Sequence, residues 1–359
     1  VHMEIGEPDF TAPAPVVEAA VKALRDGVTA YTPALGIAPL RDAIARFHAA
    51  HLGAAPSADC IAVTAGASGA LLLALALYVD PGDEILVPDP GYPGYRHFVR
   101  AFEGVAKALP LGADTLFQPR CELVEAAWGP RTRGVLLASP SNPTGTSIHP
   151  DELRRIHQVV QARGGITLVD EIYLALSHDA QFGQTALALD DALISINSFS
   201  KYFNMTGWRL GWMVVPEVLV PVVERLAQNL FICPSTIAQH AALACFEDAS
   251  IALYEQRRAE FKARRDYFIP ALNALGLTVP VMPDGAFYAW ADCSELCTKL
   301  GIKDSWDFAF EVMNRAHVAI TPGRDFGTAQ TAQFVRFSTA SSMKQLETAI
   351  ARLRAMLST

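Results

Sequence analysis

The chain has 359 residues, a net charge of −8 and a pI near 5.6, and about half of its residues are apolar. Its 7 Lys and 22 Arg (29 together) form no basic run, so we do not expect a general nucleic-acid binder. This length suits one large domain and a smaller one, and 18% charged residues are ordinary for a globular enzyme.

Neither a membrane span nor a secretion signal is expected. The longest apolar run, GALLLALALYV at 69–79, is shorter than the roughly 20 residues that span a bilayer. The opening VHMEIGEPDF lacks the basic and apolar regions of a signal peptide, and because it begins abruptly we expect further residues upstream. Six scattered cysteines without a CxxC pair favour reduced thiols in a cytoplasmic protein, and we expect no metal site.

Between residues 60 and 216, short apolar runs alternate with helical patterns. Strands are predicted in 60–66, 83–95, 134–145, 164–173, 192–201 and 208–216, with helices at 68–78 and 150–163. This alternation predicts an α/β fold with a mostly parallel central sheet sandwiched by helices. The strands are almost continuously apolar, as a sheet that is buried on both faces requires.

The pattern changes after about Ile232. A long helical stretch at 235–275 precedes the segment 283–290, a helix near 306–315, short strands in 317–323 and 333–340, and a final helix at 342–357. This order predicts a smaller α+β domain. We expect a large domain at 25–245, and a small domain formed by 1–24 together with 246–359.

Polar and glycine-rich residues follow the predicted strands. Ligands of open parallel sheets bind at the carboxyl ends of the strands. We therefore expect one crevice to collect the residues that follow the strands, namely Ala65, Gly66, Ala67, Ser68, Tyr92, Asn142, Asp170, Tyr173 and Lys201.

Lys201 is the only lysine between Lys107 and Lys262, and it follows a buried strand. Burial disfavours a charged amine, which suits a lysine that forms a Schiff base with a carbonyl. The tetrapeptide Ser-Phe-Ser-Lys also fits the Ser-x-x-Lys pattern of acyl-transfer enzymes, in which Ser198 would be the nucleophile. A lysine whose stem packs while its amine reaches water is the third interpretation. The Lys-Thr-Gly element of the acyl-transfer class is absent from the sequence, which disfavours that reading.

The residues around Lys201 suit pyridoxal phosphate, a carbonyl cofactor. Asp170 closes the strand GITLVD, and a buried carboxylate requires a cationic partner such as a protonated pyridine nitrogen. Tyr92 lies in a Pro/Gly-rich loop from which it could stack on the ring.

An anion site for the phosphate is predicted nearby. Gly66 opens a helix, whose free N–H groups favour phosphate. Arg209 could bind the same phosphate through paired hydrogen bonds, and Ser198 and Ser200 are further donors.

The segment SFSKYFNMTGWRLGW at 198–212 resembles the lysine signature of class I/II aminotransferases of the aspartate aminotransferase family, which have fold type I. Six further blocks resemble that family in its own order: IGEPDF, YTPALGIAPLR, SPSNPTG, DEIY, PDGAFY and FVRFSTA. The resemblance covers nearly the whole chain.

The resemblance implies roles for the cofactor site. Lys201 would bind pyridoxal 5'-phosphate as a Schiff base and carry the 1,3-proton transfer. Asp170 would pair with the pyridine nitrogen, and Tyr92 would stack on the ring. Asn142 and Tyr173 would hydrogen-bond the ring hydroxyl, and Asn142 would also contact the substrate.

The same resemblance assigns residues to the phosphate of the cofactor and to the substrate. The phosphate would be held by Gly66, Ala67, Ser68, Ser198, Ser200 and Arg209. Arg336 would pair with the substrate's α-carboxylate through its guanidinium, and Gly6 would approach that carboxylate through its backbone. Tyr31 would reach the phosphate of the neighbouring subunit, so the active unit would be a homodimer.

Plainer readings remain for some of these residues. The motif at 142–145 could be only a turn, Arg336 a surface ion pair and Tyr31 a packing aromatic. Trp208 and Trp212 are expected to be packing residues.

The reaction implied is ping-pong transfer of an amino group from an amino acid to a 2-oxo acid. A carbon–sulfur or elimination lyase on the same fold is the nearest alternative, and a regulator that binds the cofactor without turnover is more remote. Some relatives carry Lys at the position of Ser68, and the absence of that lysine here disfavours aspartate. The aromatic and aliphatic residues near the site favour a neutral or aromatic substrate.

Overall fold

The computed structural model describes residues 1–358 and contains a seven-stranded sheet. Its strands are β1 (Ile61–Thr64), β2 (Glu84–Asp89), β3 (Val105–Pro110), β4 (Thr132–Ala138), β5 (Ile166–Asp170), β6 (Ile194–Ser198) and β7 (Gly211–Val214). Their order across the sheet is β1-β7-β6-β5-β4-β2-β3. Strand β7 runs antiparallel to both of its neighbours, whereas the other neighbouring pairs are parallel. The predicted mostly parallel sheet is confirmed.

Helices cover both faces of this sheet, as the alternation of strands and helices predicts. The α-helices of the chain are α1 (Ala14–Arg25), α2 (Ala38–Phe47), α3 (Gly66–Ala76), α4 (Gly94–Ala101), α5 (Cys121–Ala127), α6 (Pro150–Ala162), α7 (Val220–Leu230), α8 (Thr236–Ala242), α9 (Asp248–Asn273), α10 (Ser294–Leu300), α11 (Ser305–Glu311) and α12 (Met343–Leu357). Successive residues of β4 point to opposite faces. Leu136 packs with Leu71 of α3, whereas Val135 and Leu137 pack with Ile156 of α6. Both faces are therefore apolar cores.

A second, three-stranded antiparallel sheet lies in the C-terminal part of the chain. It contains β8 (Tyr288–Asp292), β9 (Thr321–Pro322) and β10 (Phe334–Ser338), in the order β8-β10-β9. Its core joins side chains from α9, α11 and α12. The first residues of the chain attach here, because Met3 N donates to Ala319 O and Ser338 N donates to Met3 O. The domain boundaries at residues 25 and 245 stay a prediction.

Some elements differ from the sequence-based expectation. The helical stretch predicted at 235–275 is divided between α8 and α9, because Glu247 is extended with ψ 144° and cannot continue a helix. The strand predicted from 208 begins only at Gly211, because Arg209 has a left-handed backbone with φ 53°. None of the helices within residues 1–358 is both long and apolar enough to cross a bilayer.

The antiparallel direction of β7 positions the site. Strands β1, β2, β4, β5 and β6 end at one edge of the sheet, and β7 begins at that same edge. The residues just before β7 therefore meet those that follow the other strands. Gly211 makes this junction close, since a Cβ there would lie 2.7 Å from the carbonyl carbon of Gly66.

Candidate active site

A cavity of approximately 330 Å³ lies at this edge of the sheet. Its volume is in the range of small-molecule sites. Twelve residues predicted from the sequence line it, namely Gly6, Ala67, Ser68, Tyr92, Asn142, Asp170, Tyr173, Ser198, Ser200, Lys201, Arg209 and Arg336. Gly66 lies directly behind this wall, against Arg209. Tyr31 is 80% exposed and does not line the cavity of its own chain.

Lys201 reaches the cavity from the turn that follows β6. Its Nζ donates a hydrogen bond of 2.5 Å to the carbonyl oxygen of Gly6 and lies 5.7 Å from the centre of the Tyr173 ring. Burial, followed by the positive charge of Arg336, lowers the pKa of Lys201 to about 8. A neutral, nucleophilic amine is therefore accessible near physiological pH.

Asp170 ends β5 with its carboxylate inside the cavity wall. The hydroxyl of Tyr95 donates a 2.7 Å hydrogen bond to one carboxylate oxygen, and Ile172 N donates a 3.1 Å hydrogen bond to the other. Burial raises the pKa of Asp170, since desolvation disfavours the charged form. A buried carboxylate of this kind suits a cationic ligand atom.

One corner of the cavity combines a helix start with an arginine. Helix α3 begins at Gly66, so its first N–H groups lack helical acceptors. A Cβ on Gly66 would lie 2.7 Å from Nη2 of Arg209, and glycine is therefore required for this approach. The hydroxyl oxygens of Ser198 and Ser200 lie 2.9 Å apart at the end of β6. Donors of this kind favour an anion.

The opposite corner is built around Arg336, in the middle of β10. Its Nη1 donates a 2.9 Å hydrogen bond to Oδ1 of Asn142, and its Nη2 donates to the carbonyl oxygen of Glu4. The guanidinium carbon lies 4.5 Å from the centre of the Tyr288 ring and 4.9 Å from the centre of the Phe326 ring. Arg336 is thus a buried residue of the cavity and not a surface ion pair, and its Nε has no partner among the described residues.

Three tyrosines, Tyr92, Tyr173 and Tyr288, also line the cavity. The hydroxyls of Tyr173 and Tyr288 lie 2.6 Å apart, and burial raises the pKa of Tyr173. Tyr92 is 38% exposed at the mouth of the cavity and contacts Tyr95 edge-on. Trp212 is buried in the core, as expected of a packing residue.

Two residues of this site were missed by sequence reasoning. Tyr95 follows the Pro/Gly-rich loop that contains Tyr92, and its contact with Asp170 spans 75 positions. Tyr288 belongs to the PDGAFY block, to which no role was assigned. Its place beside Tyr173 depends on contacts 115 positions apart, which local patterns do not indicate.

Comparison with known proteins agrees with this arrangement. The family described as aminotransferase class I and II matches residues 1–353. The valine–pyruvate aminotransferase of Mycobacterium tuberculosis is 38% identical over 99% of this chain and 91% of its own. An aspartate aminotransferase of Rhizobium meliloti is 35% identical over 98% of this chain and 87% of its own. A crystal structure of an aminotransferase from Mycobacterium tuberculosis superposes with a TM-score of 0.94 at 38% identity, covering 100% of this chain and 91% of that one.

The fold and the cavity define an enzyme that binds pyridoxal 5'-phosphate. The chain belongs to the class I and II aminotransferase family and is a pyridoxal-phosphate-dependent aminotransferase that acts on amino acids and 2-oxo acids. The lyase and the regulator considered as alternatives find no support in these relatives.

The residues of the cavity fit this cofactor. The corner at Gly66 and Arg209 offers donors to a phosphate, and a Cβ on Gly66 would obstruct it. Asp170 offers a buried carboxylate to a protonated ring nitrogen, and Lys201 offers an amine to the aldehyde. The partnerless Nε of Arg336 leaves a donor for a substrate carboxylate.

Proposed function

We propose that this aminotransferase takes its amino group from a neutral amino acid. The observation that supports this proposal is the small number of positively charged side chains in the cavity wall. The cations that this chain places there are Lys201, Arg209 and Arg336. In this proposal they would bind the cofactor aldehyde, the cofactor phosphate and the α-carboxylate, so that no cation would remain for a carboxylate in the donor's side chain. The rest of the wall combines aromatic and apolar side chains such as Tyr92 and Ile172 with serines, Asn142 and Asp170, and among the described residues it holds no further cation. The relative named valine–pyruvate aminotransferase supports a neutral donor.

The phosphate of the cofactor would lie at the start of α3. The N–H groups of Gly66, Ala67 and Ser68 would bind it together with Arg209, because the helix start and the guanidinium both favour an anion. Ser198 and Ser200 would add hydroxyl donors from the end of β6.

The ring would lie between Tyr92 and β5. Asp170 would hold a proton on the ring nitrogen, supported by the hydrogen bond that it accepts from Tyr95. Asn142 and Tyr173 would hydrogen-bond the ring oxygen. When bound, pyridoxal phosphate supplies an aldehyde for the amino group and a ring that withdraws electrons from the α-carbon.

The donor's α-carboxylate would bind Arg336 and the backbone of Gly6. The Nε of Arg336 has no partner among the described residues, and the nearby rings of Tyr288 and Phe326 would help to hold the guanidinium in place for a carboxylate. Asn142 already contacts Nη1 and would complete the carboxylate site.

Lys201 would move the proton. Its Nζ would accept the proton of the donor's α-carbon, which requires a neutral amine, and the pKa of about 8 makes one available. After hydrolysis by one water molecule, the donor would leave as a 2-oxo acid and its amino group would stay with the cofactor. A second 2-oxo acid would then receive that amino group in a ping-pong cycle.

A homodimer would complete the site. Tyr31 is 80% exposed, and Val17, Val21 and Leu24 form an exposed apolar stripe along α1. Exposed apolar groups of this kind are typical of contacts between subunits. Tyr31 would then reach the phosphate of the neighbouring chain. A cytoplasmic location is also proposed, supported by six free thiols.

A panel of amino donors with 2-oxoglutarate as acceptor tests the proposed substrate class. Valine, alanine, leucine and phenylalanine are compared with aspartate by kcat/KM. We expect at least one neutral donor to exceed aspartate, because a charged side chain would be desolvated without a partner. Fastest turnover with aspartate would contradict the proposal. Release of ammonia or thiol without a 2-oxo acid acceptor would indicate a lyase.

A further inference from the structure

Tyr288, at the start of β8, contacts three parts of the cavity. Its hydroxyl oxygen lies 2.6 Å from that of Tyr173, and the guanidinium of Arg336 lies over its ring at 4.5 Å. A Cβ on Gly6 would lie 2.4 Å from the same hydroxyl, so the N-terminal segment closes directly over it. Tyr288 is buried, and its ring also packs against Tyr173 edge-on.

The direction of the hydrogen bond between the two tyrosines follows from proton counting. Tyr173 has a single hydroxyl proton, which its proposed role directs to the ring oxygen of the cofactor. The bond to Tyr288 can then form only if Tyr288 donates and Tyr173 accepts. Burial raises the pKa of both tyrosines, so both keep their protons at the pH of catalysis. Hydrogen bonds in series strengthen one another in a dry interior.

We infer that Tyr288 is a positioning residue of this site, whose hydroxyl strengthens donation by Tyr173 and whose ring holds Arg336. The inference rests on the proposed function, in which Tyr173 contacts the ring oxygen and Arg336 the substrate carboxylate. Tyr288 thereby links the hydrogen bonding of the cofactor to the binding of the donor. It acts through these two residues and does not touch the reacting atoms.

Two substitutions separate the hydroxyl from the ring. Tyr288→Phe removes the hydroxyl and keeps the aromatic face under Arg336. Tyr288→Leu removes both. A residue that only fills space would tolerate the phenylalanine without any change in the titration of the bound cofactor, because ring packing is retained.

The test is a pH titration of the visible absorbance of the holoenzyme. With Tyr288→Phe, we expect the midpoint to rise by about 0.3 to 1 pH unit, because weaker donation from Tyr173 leaves the ring oxygen more basic. We expect kcat to fall roughly 2- to 10-fold while KM for the donor stays near that of the wild type. Tyr288→Leu should shift the midpoint similarly and also raise KM by about fivefold or more, because Arg336 loses the nearer of its two aromatic contacts.

Tyr254→Phe is the matched control. Its hydroxyl is also buried in an aromatic cluster, but it donates to Sγ of Cys245 at 3.4 Å and lies outside the cavity. We expect its midpoint and kcat to match the wild type. A midpoint unchanged by Tyr288→Phe, or an equal shift with Tyr254→Phe, would overturn the inference. A wild-type enzyme without visible cofactor absorbance or transamination would instead overturn the proposed function.

Discussion

Replacing Gly66 with alanine tests whether the start of α3 and Arg209 form the phosphate site. Gly66 has φ +71°, and a Cβ there would lie 2.7 Å from Nη2 of Arg209 and 3.3 Å from its Cζ. Atoms this close cannot coexist, so the guanidinium must move. Alanine in this left-handed backbone conformation lowers the free energy of unfolding by about a further 1–2 kcal/mol. The variant is therefore expected to lose stability and phosphate binding together.

Gly164 provides a control in which only the backbone cost is present. Its φ is +68°, and a Cβ there would meet no atom within 4 Å. Both variants should lower the Tm of the apoenzyme by a few degrees, roughly. Only Gly66→Ala should also weaken binding of pyridoxal phosphate, by about 10- to 150-fold. That range follows from the loss of one charge-assisted hydrogen bond, which contributes about 1.5–3 kcal/mol.

The assay is titration of each apoenzyme with pyridoxal phosphate, followed by absorbance, beside a thermal melt without cofactor. Equal affinity of the wild type and Gly66→Ala would refute the assignment of the phosphate site. Equal weakening in Gly164→Ala would show that lost stability, and not the contact with Arg209, explains the effect.

Further predictions address the amine, the carboxylate site and the dimer. The pKa of Lys201 is lowered to about 8, so the neutral fraction of its amine grows about tenfold per pH unit below that value. The rate at which the apoenzyme binds pyridoxal phosphate covalently should therefore rise up to pH 8 and then level off. A rise that continues to pH 10 would contradict this. Arg336→Lys should lower kcat/KM for the donor by roughly 10- to 100-fold, because the planar guanidinium is lost, and should leave the absorbance of the bound cofactor unchanged. Weakened binding of the cofactor would argue against a role of Arg336 in binding the carboxylate. Co-expression of inactive Tyr31→Ala and Lys201→Ala chains should restore about a quarter of wild-type activity, because random pairing makes half of the dimers mixed and each mixed dimer has one complete site. No recovery in mixed dimers would exclude a contribution of Tyr31 across the interface.

The sequence was sufficient to predict the residues that follow the strands. Asp170, Asn142 and Lys201 were found because parallel strands bring their carboxyl ends to one edge, whatever the details of pairing. Helix α3 was likewise expected from the apolar run after Gly66. These features depend on local patterns and on one topological rule.

Other parts of the site depend on long-range pairing, which local patterns do not specify. The antiparallel direction of β7 explains why Arg209, which precedes a strand, meets residues that follow strands. Tyr288 lies on β8, which pairs with β10, and its contact with Tyr173 joins segments that are 115 positions apart. Tyr95 was not predicted because its hydrogen bond with Asp170 joins segments that are 75 positions apart.

The central claim is that Lys201 binds the cofactor covalently. Reduction of the holoenzyme with borohydride, followed by peptide mapping, tests it directly, because reduction converts the carbon–nitrogen double bond into a stable amine. We predict that the cofactor is found on the peptide that contains Lys201, and that Lys201→Ala treated in the same way yields no modified peptide. Cofactor attached to any of the six other lysines, or retained covalently by Lys201→Ala, would contradict the account.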